Sequence, residues 1–394
     1  MNMANYFCLL FQMLARDKKL WAATVLLAVL VALPMVVPIE AFFEGGIGRE
    51  YQEGRLAELQ TALADGSYDT APQRLRDYVA QELELTKAMV ETPDDAVFFQ
   101  ALGKLCTLQV QENKEGFLQG IGPATFEAQA VFYSAVAELD HPIAYARTVQ
   151  MASLPYLSFI SSQYPSILWM VPGLLAVLAA LVITRTGTML GRAPLPEYER
   201  YAAAWLASCS ISALLFVAAL LPTLIWTMAR NGLGDPAYPV VYINAGEVFQ
   251  KTVGIALLQE AALMLLSVGL LSALAILVSR VFFNASKIGA YAGASLAAGV
   301  AFVPMVTGFF SADNAAIMNL LPISYLSPAD AAGALSYDFL GNQLLYPGIS
   351  GSTGLIVLAA FISALLAVLF SITAVASTRR MACDAKGAVD AEPC

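Results

Sequence analysis

The sequence has little charge, one histidine and scattered cysteines, and each scarcity closes off a class of chemistry. Charged residues make up 13% of the 394 positions, about half the share of an average soluble domain. The histidine, His141, stands before Pro142 with no nucleophile or acid patterned around it. A Ser-His-Asp centre has no other imidazole to use, and His141 reads as structural. Cys8, Cys106, Cys209, Cys383 and Cys394 form no C-x-x-C pair and no cluster with histidine, which argues against a structural zinc site. No G-x-x-x-x-G-K-[ST], H-E-x-x-H or G-x-S-x-G occurs, and Gly103-Lys104 lacks the rest of a phosphate loop. No motif marks the chain as an enzyme. Any uphill work draws on an ion gradient or on another polypeptide.

What the sequence does have is apolar residues, at 58% of positions and a mean hydropathy of +0.66. They come in blocks of about 20 residues, the length that crosses a bilayer. The pattern predicts an all-α polytopic membrane protein with six transmembrane helices and a helical extracellular domain between spans one and two. The predicted spans are 20–43, 166–184, 202–228, 252–278, 288–310 and 354–377. The first is too long for the apolar region of a signal peptide. Pro34 and Pro38 should bend its outer half, which a bundle tolerates if neighbours or water meet the freed carbonyls. Around the spans lie an N-terminal segment 1–19, an extracellular domain 44–165, an outer loop 311–353 and a tail 378–394.

Lysine and arginine set the orientation. Eleven of them fall in the N-terminal segment, the 185–200 loop, the Arg280–Lys287 loop and the tail, against two, Arg230 and Lys251, in the loops opposite. Both termini are therefore expected in the cytoplasm of a multi-pass protein of the cell membrane. The segment 44–164 holds 17 acidic and 8 basic residues and carries the whole net charge of −9. An acidic surface argues against nucleic acid there. Cys106 is its one cysteine, so it cannot hold an internal disulfide.

Local signals fill in the parts. Phe7, Leu10, Phe11 and Leu14 recur at helical spacing, as in an amphipathic helix on the membrane lipid or an early start to the first span. In the acidic domain helices are expected over 51–64, 72–90, from about 94 onward, and from Pro123 to Glu138. Thr92 is read as an N-cap with Pro93 at the first helical position. The domain is either a ligand-reading module or a packing platform. Pieces of 311–353 are apolar and punctuated by Pro322, Pro328 and Pro347, as in two short helices dipping into the outer leaflet or an ordinary surface loop. Gln259 and Glu260 sit about two turns into the fourth span. A carboxylate at that depth either lines a substrate path or bonds a neighbouring helix. Gly289 and Gly293 give the fifth span a smooth face for a second copy or for packing within the chain.

Between spans two and three lies a polar island, 185–200, with Arg185, Arg192 and Arg200 set against Glu197 and Glu199. Pro194 and Pro196 break the chain, and Glu197-Tyr198-Glu199-Arg200 can open a new helix. Gly187-Thr188, then Pro194 to Pro196 with Tyr198, then Arg200, resembles the loop of type-two ABC transporter permeases. These are six-span exporter subunits that pair with a separate ATPase. The N-terminal helix and the paired outer pieces of 311–353 resemble that family too. Two features depart from it. Thr184-Arg185 stand where the family usually has glutamates, and the domain between spans one and two is far larger than in minimal members. The resemblance implies a permease that binds no cofactor itself and couples to a cytoplasmic ATP-binding subunit, which uses the ATP. It also implies a second permease copy or a paralogue as partner, and an amphipathic cargo such as a peptide, lipid or drug. Gly187, Thr188, Pro194, Pro196, Glu197, Tyr198 and Arg200 would make the coupling contact, and Gln259 and Glu260 the path. The competing expectation is a membrane sensor or scaffold whose extracellular domain binds a ligand.

Overall fold

The computed structural model describes residues 2–37, 48–118, 122–145, 147–163, 165–185, 194–244, 247–282, 315–326, 331–332 and 349–389. Its helices are α1 (Met3–Ala15), α2 (Lys18–Val36), α3 (Arg49–Ala64), α4 (Gln73–Glu91), α5 (Asp95–Lys114), α6 (Pro123–Ala137), α7 (Ser153–Gln163), α8 (Pro165–Arg185), α9 (Glu197–Asn231), α10 (Val253–Phe282) and α11 (Gly351–Val389). A strand pair, β1 (Pro239–Asn244) and β2 (Glu247–Thr252), joins α9 to α10. Among the described residues, α2, α9, α10 and α11 hold stretches long and apolar enough to cross a membrane. The molecule is mostly helical, with four candidate membrane-spanning helices.

Helix α1 is separate from α2. Asn2 caps it by accepting the Asn5 N–H at 2.9 Å, and Asp17 caps α2 by accepting from the Lys19 N–H at 2.7 Å. Arg16 closes α1 and the next residue, Asp17, caps α2, so the two do not run on as one continuous helix. Tyr6, Leu10 and Leu14 are buried in the core shared with α8, α9 and α10.

Helix α2 ends earlier than the predicted 20–43, at Val36 with Val37 as an extended cap. The cause is Pro38, which disfavours the helical conformation in the residue before it. Pro38 also has no N–H for the Pro34 carbonyl, which accepts instead from the Thr148 hydroxyl at 2.6 Å. The Tyr156 hydroxyl donates to the Val31 carbonyl at 2.6 Å. Neighbours thus meet the carbonyls at the proline-bearing end, as a bundle requires.

The acidic domain is helical over the expected stretches, with one correction. Thr92 is extended and closes α4, and the N-cap of α5 is Asp94, whose carboxylate accepts from the Ala96 N–H at 2.9 Å. Pro93 is the reason, since Thr92 before it is held out of the helical region. Phe98, Phe99, Leu102, Leu105 and Cys106 of α5 pack on Met89, Tyr133 and Val136. Arg49 at the start of α3 reaches across to donate to the Met89 and Thr92 carbonyls and to Asp95 at 2.7 Å, with its guanidinium 4.8 Å from the Phe98 ring centre. One arginine therefore closes the end of α4 and fastens α3 to α5.

The domain's expected limit at residue 165 does not follow the packing. Helix α7 belongs to the bundle, because Met151, Tyr156, Phe159 and Ile160 share a core with Leu27, Val31, Phe216 and Leu220. The C-terminal end of α9 grips the same segment. The Asn231 amide donates to the Val149 and Met151 carbonyls at 2.9 and 2.8 Å, and the Ser153 hydroxyl lies 2.9 Å from that of Thr227. Gly232 closes α9 at φ +84°, a conformation open to glycine and strained for other residues.

Along α9 the buried positions Ala204, Ala207, Ser208, Ile211, Ser212, Leu215, Ala219 and Thr223 repeat every three to four residues. Small side chains on this face let helix backbones come close. Trp205 fixes the contact by donating its indole N–H to the Gly269 carbonyl of α10 at 2.8 Å. On α8, a Cβ at Gly173 would sit 2.5 Å from Leu271 Cδ1 of α10, so a larger residue there would make the Leu271 side chain move. The sixth predicted span, 354–377, is the centre of α11. That helix begins at Gly351 and continues through Arg379, Arg380 and Lys386 to Val389, so most of the expected tail 378–394 is helix. The expected fifth span, with Gly289 and Gly293, lies outside the described residues.

Candidate functional site

Two places carry the expected site residues, one at each end of the bundle. At the first, Pro194 and Pro196 are exposed and Glu197 opens α9 directly after them. Pro196 supplies the extended residue before the helix, and Glu197 and Glu199 place negative charge at its N-terminus, where the helix dipole favours it. Tyr198 is 53% exposed, and its hydroxyl lies 3.3 Å from Glu199 Oε1. Tyr201, one turn on, donates to Glu197 Oε1 at 3.4 Å. Arg200 is half-buried and lies close enough to Tyr6 of α1 to act on its phenol: burial pushes that group up and the guanidinium pulls it back. Leu195 packs into the core below. The island thus has an exposed outer side, Pro194, Pro196 and Tyr198, and an inner side tied to α1 and the bundle. Gly187, Thr188 and Arg192 lie outside the described residues.

The second place is at the far end of α9, where the chain passes through the hairpin into α10. The register pairs Val241 with Gln250 and Ile243 with Val248 on one face, and Val240 with Lys251 and Tyr242 with Phe249 on the other. Successive strand side chains point to opposite faces. The first face therefore packs on α6, where Val241, Ile243 and Val248 meet Ala128, Val131 and Phe132. The second turns to the bundle, where Val240 packs on Val253 and Ala256.

Lys251 is on that second face and reaches the expected pair. Its ammonium donates to Gln259 Oε1 at 3.0 Å and to the Ala332 carbonyl at 2.6 Å, and lies 4.8 Å from the Tyr242 ring centre. Burial lowers the pKa of the Lys251 ammonium, and the charge of Glu260 raises it again. Glu260 is fully buried, seven residues or about 10 Å into α10. A carboxylate so placed needs the cation. Gly351, which opens α11, closes the other side: a Cβ there would lie 3.2 Å from Gln259 Oε1. One lysine thus joins β2, α10 and residue 332 beside the start of α11.

The same helix pair receives part of the expected loop 311–353. A helical turn Ala315–Met318 and a 3-10 turn Pro322–Tyr325 are formed. Tyr325 is fully buried, its hydroxyl donating to the Asn319 carbonyl at 2.9 Å, and a Cβ at Gly354 would lie 2.5 Å from its ring. Ser267 donates to the Tyr325 carbonyl at 3.4 Å, 14 residues or about 21 Å along α10 from Val253. The segment therefore runs well down the side of α10 and α11 instead of lying across their ends.

Sequence reading placed Gln259 and Glu260 together and missed their partner, Lys251, with Tyr242. The signal was there. Pro239-Val-Val-Tyr-Ile-Asn and Glu247-Val-Phe-Gln-Lys-Thr flank Ala245-Gly246, two β-rich runs separated by a two-residue turn. Among the described residues no group of three or more histidine, cysteine or acidic side chains could hold a metal ion. No family model, curated protein or solved structure matches this chain.

Proposed function

We propose that the chain is the membrane-spanning permease subunit of an ATP-driven ABC exporter, coupling a separate cytoplasmic ATPase to export of an amphipathic substrate. The observation that carries this is the course of α9. It begins at the exposed Pro194–Tyr198 knuckle and runs 35 residues, about 52 Å, to the Asn231 grip on residues 149–151. A bilayer core is about 30 Å thick, so this helix projects beyond it. A push on Tyr198 acts on a rod packed along α8 and α10 that ends beside the hairpin bearing Lys251 and the acidic domain. Rigid-body coupling of this kind needs contact and no catalysis by the chain itself. In this scheme six spans cross the cell membrane, both termini are cytoplasmic, and the acidic domain is extracellular. Glu260, Gln259 and Lys251 stand at the outer end of the path, and Tyr325 lies on a re-entrant segment.

The test is co-purification from the native membrane. An ATP-binding subunit should come down with the wild-type chain and be lost when Pro196→Ala and Tyr198→Ala are combined, while the variant keeps its wild-type melting temperature. A stable wild-type particle with no such subunit would refute the assignment. The second reading, a sensor or scaffold, is favoured by one observation: the acidic domain has its own core around Phe98, Leu102 and Tyr133 and touches the bundle through the hairpin. Normal ATP-dependent efflux after replacing residues 50–145 by a short linker would argue against it.

A further inference from the structure

Helices α5 and α6 and strand β2 enclose an open trough of about 450 Å³. Its floor follows α6 from Glu127 to Glu138, about 16 Å of helix. Val110 of α5 and Val131 of α6 supply apolar surface, and Gln250 forms the wall opposite α5. Among the described residues that line the trough, β2 supplies Gln250 and β1 none, so β2 is taken as the bordering strand. The sheet has two strands, so among the described residues the outer edge of β2 has no paired neighbour. Such an edge is a template for another extended chain. At about 3.3 Å per residue, five residues of extended chain match the trough's length.

The charges select the occupant. Glu127 and Glu138 stand at the two ends of the α6 stripe, both exposed, and among the described lining residues Lys114 is the one of opposite sign. The surrounding segment 44–164 carries net charge −9, which concentrates cations near the surface. Apolar floor, acidic rim and free strand edge fit one class of ligand.

We propose that the α5–α6–β2 trough is a binding site for an extended cationic peptide segment. The segment pairs its backbone with the edge of β2 and sets its apolar side chains on Val110 and Val131. Bound there, it touches the strand whose next residue, Lys251, holds Gln259. Adjacent residues of β2 thus face the trough and the bundle. The proposal needs no assumption about a motor.

The probe is a capped, fluorescein-labelled hexapeptide of alternating lysine and valine, titrated against the full-length protein in detergent by fluorescence anisotropy. Saturable binding in the micromolar range is expected. Glu127→Lys combined with Glu138→Lys should weaken it about tenfold or more. N-methylation of alternate peptide nitrogens should weaken it by a similar factor, because the edge bonds are lost. Glu50→Lys combined with Glu53→Lys makes the same change in charge on α3 and should leave binding within twofold of wild type. All four glutamates are exposed, so both variants should fold, with melting temperature as the check. Absence of saturable binding up to about 1 mM overturns the proposal. So does equal weakening by the two double variants, or undiminished binding of the N-methylated peptide.

Discussion

Glu112 of α5 lies near Glu82 and Arg55, in a cluster where Arg55 donates to Glu82 at 2.9 Å and to Glu58 at 3.3 Å. Burial first, and then the charge of Glu82, pushes the Glu112 carboxyl up to about 7, against some relief from Arg55. Between about pH 4.5 and pH 7 the folded domain keeps a proton that the unfolded chain has released. Stability therefore falls as pH rises through that window and is flat above it. Glu112→Gln should remove this slope, raising the melting temperature of the acidic domain at pH 8 and leaving it unchanged at pH 4. Half the group is in contact with solvent, so after screening the gain is about 1 kcal/mol. Thermal melts of wild type and variant at the two pH values decide it; an equal shift at both would mean that packing, not charge, is responsible.

At the scale of elements, α9 joins the two ends of the bundle, and its buried face is built from small residues. Ala207 is fully buried where α9 meets its neighbours. Ala207→Leu forces the backbones apart and should destabilise the detergent-solubilised protein by about 1–3 kcal/mol. Leu214, 53% exposed on the opposite face, is the control: Leu214→Ala should change the melting temperature by less than half as much. The face could be foreseen only in part. Periodicity marked the stretch 202–228 as apolar throughout. In a helix apolar on all sides, hydrophobicity does not say which side meets protein. Size does, and the small residues at 203, 204, 207, 208 and 212 are there to be read. The hairpin is hard to foresee for a related reason: its twelve strand residues lie between two long helices, where the apolar pattern predicts a short loop.

For the whole molecule, the decisive question is which end faces the cytoplasm. The proposed orientation puts Arg192 inside and residues 49–145 outside. A cysteine at Arg192, with Cys8, Cys383 and Cys394 replaced, should resist a membrane-impermeant maleimide in intact cells and react after permeabilisation. A cysteine at the exposed Glu53 should react in both. The reverse pattern would turn the molecule over and remove the knuckle from any cytoplasmic motor.

The sequence alone determined the helical class, five of the apolar stretches that the structure shows as long helices, and the limits of most of the acidic helices, while the stretch before the first span fitted either a separate helix or an early start of that span. These depend on local causes: hydrophobic run length, caps and prolines, each read within one turn of chain. Even the two misplaced boundaries, at Val36 and at Asp94, trace to a neighbouring proline. Tertiary structure alone decided that Lys251 would reach Gln259 and Ala332, that Thr148 would serve the Pro34 carbonyl more than a hundred residues away, and that α7 would join the bundle. These are contacts between distant segments. A buried carboxylate announces that it needs a cation, but which of the chain's lysines or arginines supplies it depends on how the backbone returns.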